Sequence, residues 1–149
     1  MKIDRATGVV DVPELGVVLA PTTLRDAWLA SAAGQGSIVG VQNEPWWSFK
    51  ARDFTVDGRP WKLSVGFHGQ TPWRVELMAL GAEFGTSWDD WSKTKEEARQ
   101  VFHDRWLTQV LGHGRSFAWG KVASVFDERG AYSSILIDYA VRDSLFARE

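Results

Sequence analysis

Trp61-Lys62-Leu63-Ser64-Val65-Gly66-Phe67-His68-Gly69-Gln70-Thr71-Pro72-Trp73-Arg74-Val75-Glu76-Leu77-Met78 is the stretch that decides the fold. Trp61, Leu63, Val65 and Phe67 alternate with Lys62, Ser64, Gly66 and His68. After the turn signal Gly69–Pro72 the period resumes, with Trp73, Val75 and Leu77 against Arg74, Glu76 and Met78. A period of two puts one set on a buried face and the other on the opposite face of a strand. Upstream, Trp47, Phe49 and Ala51 alternate with Ser48, Lys50 and Arg52, and the phase then slips to Phe54 and Val56. That slip predicts a bulge near Asp53, and Asp57-Gly58 is a strong hairpin turn. Three antiparallel strands in a meander follow, each with one apolar face.

Outward from the meander, residues 94–111 carry a helical pattern. Thr94 and Glu97 have capping-box spacing, and Ala98, Phe102, Trp106 and Val110 recur every four residues beside Val101, Leu107 and Leu111. Lys95, Arg99, Asp104 and Gln109 are expected on its solvated side. Residues 117–126 and 132–139 read as a second hairpin joined by Asp127-Glu128-Arg129-Gly130, with Gly120 suggesting a bulge. Near the N-terminus, 8–12 and 16–19 are two short strands or one interrupted strand. A short helix of about three turns opens at Pro21-Thr22-Thr23, with Thr23 and Asp26 in capping-box spacing and Gly34 as its cap. The expected fold is α+β in a single domain, residues 1–149. Its antiparallel sheet of five to seven strands is curved by bulges, with one long and one short helix packed on it.

The 149 residues suit one domain, and interspersed charges summing to −2 leave no footprint for nucleic acid or an anionic membrane. There is no cysteine, hence no disulfide and no thiol nucleophile. No apolar stretch reaches the roughly 18 residues of a membrane span, and no signal-peptide pattern follows Met1, so a cytoplasmic location is expected. His68, His103 and His113 lack chelating spacing, and are expected at a strand edge, a solvated helix face and a loop. The glycine-rich pairs Gly34/Gly36 and Gly112/Gly114 follow helices rather than preceding them, so neither is a phosphate cradle. No cofactor, metal or catalytic set is expected.

Nine tryptophans are the compositional outlier. Trp61, Trp73 and Trp106 fall on apolar phases and are expected in the core, as are Trp28 and Trp119. Trp46, Trp47, Trp88 and Trp91 lie at element junctions, where an indole can pack one face and show the other. Asp89 and Asp90 between Trp88 and Trp91 diverge too far to flank one scissile bond. They suit the start of a helix capped by Ser87. The candidate partner-binding residues are therefore Trp46, Trp47, Trp88, Asp89, Asp90, Trp91 and Asp127, with the acids suited to a basic protein. Such tryptophans could equally serve a homodimer, or line a concave sheet face that binds a carbohydrate or other small ligand.

The segment Ser87-Trp88-Asp89-Asp90-Trp91-Ser92, the helix with His103-Asp104-Arg105-Trp106-Leu107, and the ending 117–127 with 134–139 resemble a pattern in small bacterial proteins. The resemblance spans roughly residues 61–140. It is to cytoplasmic proteins often found with toxin systems, immunity proteins among them. It implies a non-enzymatic domain that neutralises a toxin-like protein partner by occlusion.

Overall fold

The alternating segments all become strands. The computed structural model describes residues 1–147. β1 (Lys2–Ile3), β2 (Val10–Val12) and β3 (Val17–Leu19) make a small sheet in that order. The large sheet holds β4 (Ile38–Asn43), β5 (Trp46–Lys50), β6 (Phe54–Val56), β7 (Arg59–His68), β8 (Thr71–Ala79), β9 (Ser116–Phe117), β10 (Gly120–Asp127) and β11 (Tyr132–Tyr139). Its order is β4-β5-β7-β8-β11-β10-β9, with β6 extending β5 along β7, and each pairing is antiparallel. The expected meander and C-terminal hairpin are thus joined edge to edge, β8 against β11. The bulge near Asp53 is present: Lys50 faces Ser64 and Phe54 faces Trp61, so β5–β6 spends one residue more than β7.

Register explains the core. Leu63 lies across from Leu77, and Leu77 from Ile135; Val65, Val75 and Ile137 repeat the pattern one step along. All six are at most 1% exposed. The helix α3 (Lys93–Leu111) lies over this face, and Trp61 packs against Trp106 with ring centroids 5.1 Å apart. The small sheet joins the same apolar cluster through Val10, Val12, Val17 and Leu19. Tyr139 ties the two sheets by donating its hydroxyl to the Gly8 carbonyl.

Four expectations are corrected. The first concerns the buried face of α3, which is Glu96, Arg99, His103, Leu107 and Leu111. Ala98 is exposed, and Phe102, Trp106 and Val110 are half-buried on the helix's flank. Both stripes recur mainly every four residues, one position out of step, so the helix is turned by about 100° from the expected setting. The polar stripe can face inward because Glu96 and Arg99 satisfy each other. The helix also starts two residues early, with the Ser92 hydroxyl accepting from the Lys95 N–H in place of the Thr94 box.

Second, Trp73 leaves the core. Arg74 pairs with Gly66 and Pro72 with Phe67, so Trp73 is the extra residue of a bulge and swings to the opposite face. Its indole lies over Gly66, where a Cβ would come within 2.9 Å of Nε1. Trp119 is likewise half-buried, stacked on Phe117 at 4.8 Å and donating Nε1–H to the Arg5 carbonyl.

Third, the short helix is two pieces, α1 (Arg25–Ala30) and α2 (Ala32–Gln35), broken at Ser31 in extended conformation. Thr23 does not cap it; its hydroxyl accepts from the Ala20 N–H. A further short helix, α4 (Val141–Leu145), follows β11. Fourth, Gly120 closes a tight turn between β9 and β10 rather than forming a bulge in the β10–β11 ladder.

Candidate functional site

The polar phase of the strands forms the large sheet's second face, which carries Ser48, Lys50, Lys62, Ser64, Glu76 and Met78. At its centre is a groove of about 320 Å³ lined by Lys50, Lys62, Ser64, Glu76, Met78 and Tyr132, among others. It continues into a hollow of about 290 Å³ that shares Lys62, Met78 and Tyr132 and adds Phe84, Trp88, Trp91, Glu96 and Arg99.

Burial pushes the Glu76 carboxyl up from its ordinary value, against the opposing pull of Arg74 and of a hydrogen bond from Tyr132. Tyr132 is also raised, first by burial and then by the nearby Glu76 and Asp127 charges. The pair therefore holds its protons more tightly than free side chains do. Lys50 and Lys62 are exposed on the same face, and Lys62 pairs with Asp53 at 3.3 Å. Such a groove can anchor a polar group between the donors Lys50, Lys62 and Tyr132 and the acceptor Glu76. Among the described residues, no three of His, Asp and Glu converge to hold a metal ion. No described helix is long and apolar enough to cross a membrane.

The structure divides the candidate residues between opposite ends of the sheet. Trp88, Asp89, Asp90, Trp91 and Asp127 come together where β11 begins. Ser87 caps as expected, but it caps a single 3-10 turn (Trp88–Asp90) rather than a helix. Asp90 completes the box: its carboxylate accepts from the Ser87 N–H at 2.8 Å, the Thr86 N–H at 2.9 Å and the Thr86 hydroxyl at 3.0 Å. The backbone donors of Ser87 and Thr86, in that order, hold Asp90 down to about 2. Asp90 thus stays ionised, with its oxygens spent on shaping the loop. Asp127 shapes its own turn, accepting from the Arg129 and Gly130 N–H groups. Trp91 links the two loops by donating Nε1–H to the Ala131 carbonyl at 2.6 Å.

Trp88 is different. It is 74% exposed, the most exposed large hydrophobic of the described residues, with its ring 6.3 Å from that of Trp91. Asp89 beside it is also exposed.

Trp46 and Trp47 lie at the far end, across from His68 and Phe67. Trp47 faces the core, stacked on Phe49, with the Arg25 guanidinium 4.7 Å from its ring. Trp46 faces the other way and packs with Trp73 and Phe146. Neither joins the Trp88 cluster.

Sequence reasoning passed over Lys50, Lys62, Glu76 and Tyr132. Their signal was the polar phase of strands whose apolar phase was already assigned: residues off the core face of adjacent strands must share the other one. No family model, curated protein or solved structure matches the chain.

Proposed function

We propose that this chain is a non-enzymatic protein-binding domain whose partner docks on the Trp88–Trp91 end. The observation that carries the proposal is an indole 74% exposed on a loop fastened at several points. Asp90 closes the turn, the Lys95 ammonium donates to the Asp90 carbonyl at 2.7 Å, and Trp91 is pinned to Ala131. Holding a large apolar ring rigidly in water gains nothing for folding. It does remove the ordering cost of an interface anchor in advance. Asp89 beside it gives the surface a negative rim suited to a basic partner. The resemblance to immunity proteins supplies the class: a toxin whose active-site rim the Trp88 surface covers.

The test is affinity capture from the native host with wild-type and Trp88→Ala baits, followed by titration of whatever co-purifies. Truncating the anchor is expected to weaken binding at least tenfold, as losses of about 2 kcal/mol do at interface centres, with the thermal midpoint unchanged. Equal affinity of both baits for the partner would refute the docking site.

A second use of the same face is supported by the Glu76–Tyr132 groove. Its size and its mixture of donors and acceptors suit a small polar ligand such as a sugar. A thermal-shift screen of sugars and nucleotides against wild type and Glu76→Gln checks this. A ligand stabilising both proteins equally, or none stabilising the wild type, counts against it.

A further inference from the structure

The large sheet ends on one side in β4, which pairs with β5 and, among the described residues, has no strand on its outer edge. All six of its residues are exposed, with Ile38 at 72%, Val39 at 46% and Val41 at 48%. Ile38-Val39-Gly40-Val41-Gln42-Asn43 contains no charge and no proline. Monomeric proteins normally blunt such an edge with lysine, proline or a very short strand, because its unpaired N–H and C=O groups are a template for another chain. The opposite edge follows that practice, since β9 has only two residues.

We infer that β4 is the pairing edge for a second copy of this chain, joined antiparallel about a two-fold axis. The occupant follows from strand lengths. Of the other outer edges described, β1, β3, β6 and β9 have two, three, three and two residues, and the stretch of β10 beyond β9 is buried or half-buried, with the Gln100 side chain donating to its Ser124 carbonyl, so none offers a free six-residue ladder. β4 of another molecule does. Pairing like with like also uses up both long edges at once, so assembly stops at two.

The bulge in β4 locates the axis. Val39 faces Phe49 and Gln42 faces Trp47, so Gly40 and Val41 together oppose one residue, and the Val41 N–H turns inward to the Ser48 hydroxyl at 2.8 Å. An axis between Gly40 and Val41 sets Ile38 and Val39 against Asn43 and Gln42 of the second copy, leaving a short uninterrupted stretch on each side. A single strand ladder buries less than the roughly 1,200 Å² at which stable complexes begin. The dimer is therefore weak and concentration-dependent. It is independent of the Trp88 surface.

Sedimentation velocity of the full chain, from low to high micromolar, tests this. The wild type is expected to pass from one-chain to two-chain mass. Val41→Lys places two ammonium groups beside the axis, and Ile38→Lys puts a charge in each outer stretch. Both are expected to stay at one-chain mass, or to dissociate at least tenfold more readily, with unchanged circular dichroism and thermal midpoint because both sites are exposed. Trp88→Ala is expected to dimerise like wild type. A wild type at one-chain mass throughout, a mass growing beyond two chains, or a dimer untouched by both lysine variants would each overturn the inference.

Discussion

Glu96→Ala is expected to destabilise the protein by about 3–5 kcal/mol, the range for removing one partner of a buried ion pair. Glu96 and Arg99 are 3% and 5% exposed on the inward face of α3. The Arg99 Nη1 donates to both Glu96 oxygens at 2.6 and 2.7 Å, and the same carboxylate accepts from the Ser133 N–H at 2.8 Å. Truncation strands a guanidinium and a backbone donor away from water, and neither has a second strong partner. The nearest other acceptor for Arg99 is the Phe84 carbonyl at 3.4 Å. The loss is a large share of the roughly 7–22 kcal/mol expected for a chain of this size.

The companion variant separates charge from packing. Glu96→Leu with Arg99→Met removes both charges and keeps apolar volume, so most of the stability is expected to return. About 1–3 kcal/mol stays missing for the orphaned Ser133 N–H. Urea unfolding with constant slope is the measurement. A Glu96→Ala midpoint within about 1 kcal/mol of wild type would mean that water reaches the pair. The consequence extends to the candidate site, because Glu96 and Arg99 also line the hollow below Trp88 and Trp91.

The same pair marks the limit of what the sequence could reveal. The meander was legible because a strand's two faces are assigned by parity, and Leu63, Val65, Val75 and Leu77 agree on one parity across two strands. Parity fails only where an extra residue intervenes. At Asp53 the apolar phase itself recorded the slip. At Trp73 the apolar residue was the extra one, so alternation continued in the sequence while the side chain changed faces. In α3 two stripes with nearly the same period competed, and hydrophobicity favoured Phe102 and Trp106 over Arg99 and His103. Only the positions of Ser133, Phe84 and Ala79, all distant in sequence, make the polar stripe the better buried one. Trp88 and Asp90 show the same divide at the site. Their spacing announced a capped turn, but only the Trp91–Ala131 bond shows which ring the turn spends on structure and which it exposes.

The second large effect is in pH. His103 is fully buried, and its Nε2 accepts the Ala79 N–H at 3.0 Å. That bond requires an unprotonated Nε2, so the neutral ring carries its proton on Nδ1. Burial first, and the Arg99 charge second, push its pKa down to about 3 from an ordinary 6.5. Between those values the unfolded chain holds a proton that the folded chain refuses. The contribution of His103 is therefore complete above about pH 6.5 and is lost as pH falls towards 3, by up to about 1.4 kcal/mol per unit.

From pH 7 to pH 5 the wild type is expected to lose roughly 2 kcal/mol through this group. Glu76, raised in the folded state, works in the opposite sense, since its proton is held more tightly folded than unfolded. That term is common to wild type and His103→Gln, so it cancels in their difference. The glutamine amide oxygen can still accept the Ala79 N–H but does not titrate, and its variant is expected to show a flatter profile over the same range. Urea unfolding of both proteins at pH 5, 6 and 7 measures it. Parallel profiles would show that His103 charges within the fold, against the hydrogen bond that its Nε2 accepts from Ala79. A flattened variant would establish that one imidazole on the inward face of α3 sets the acid limit of the core.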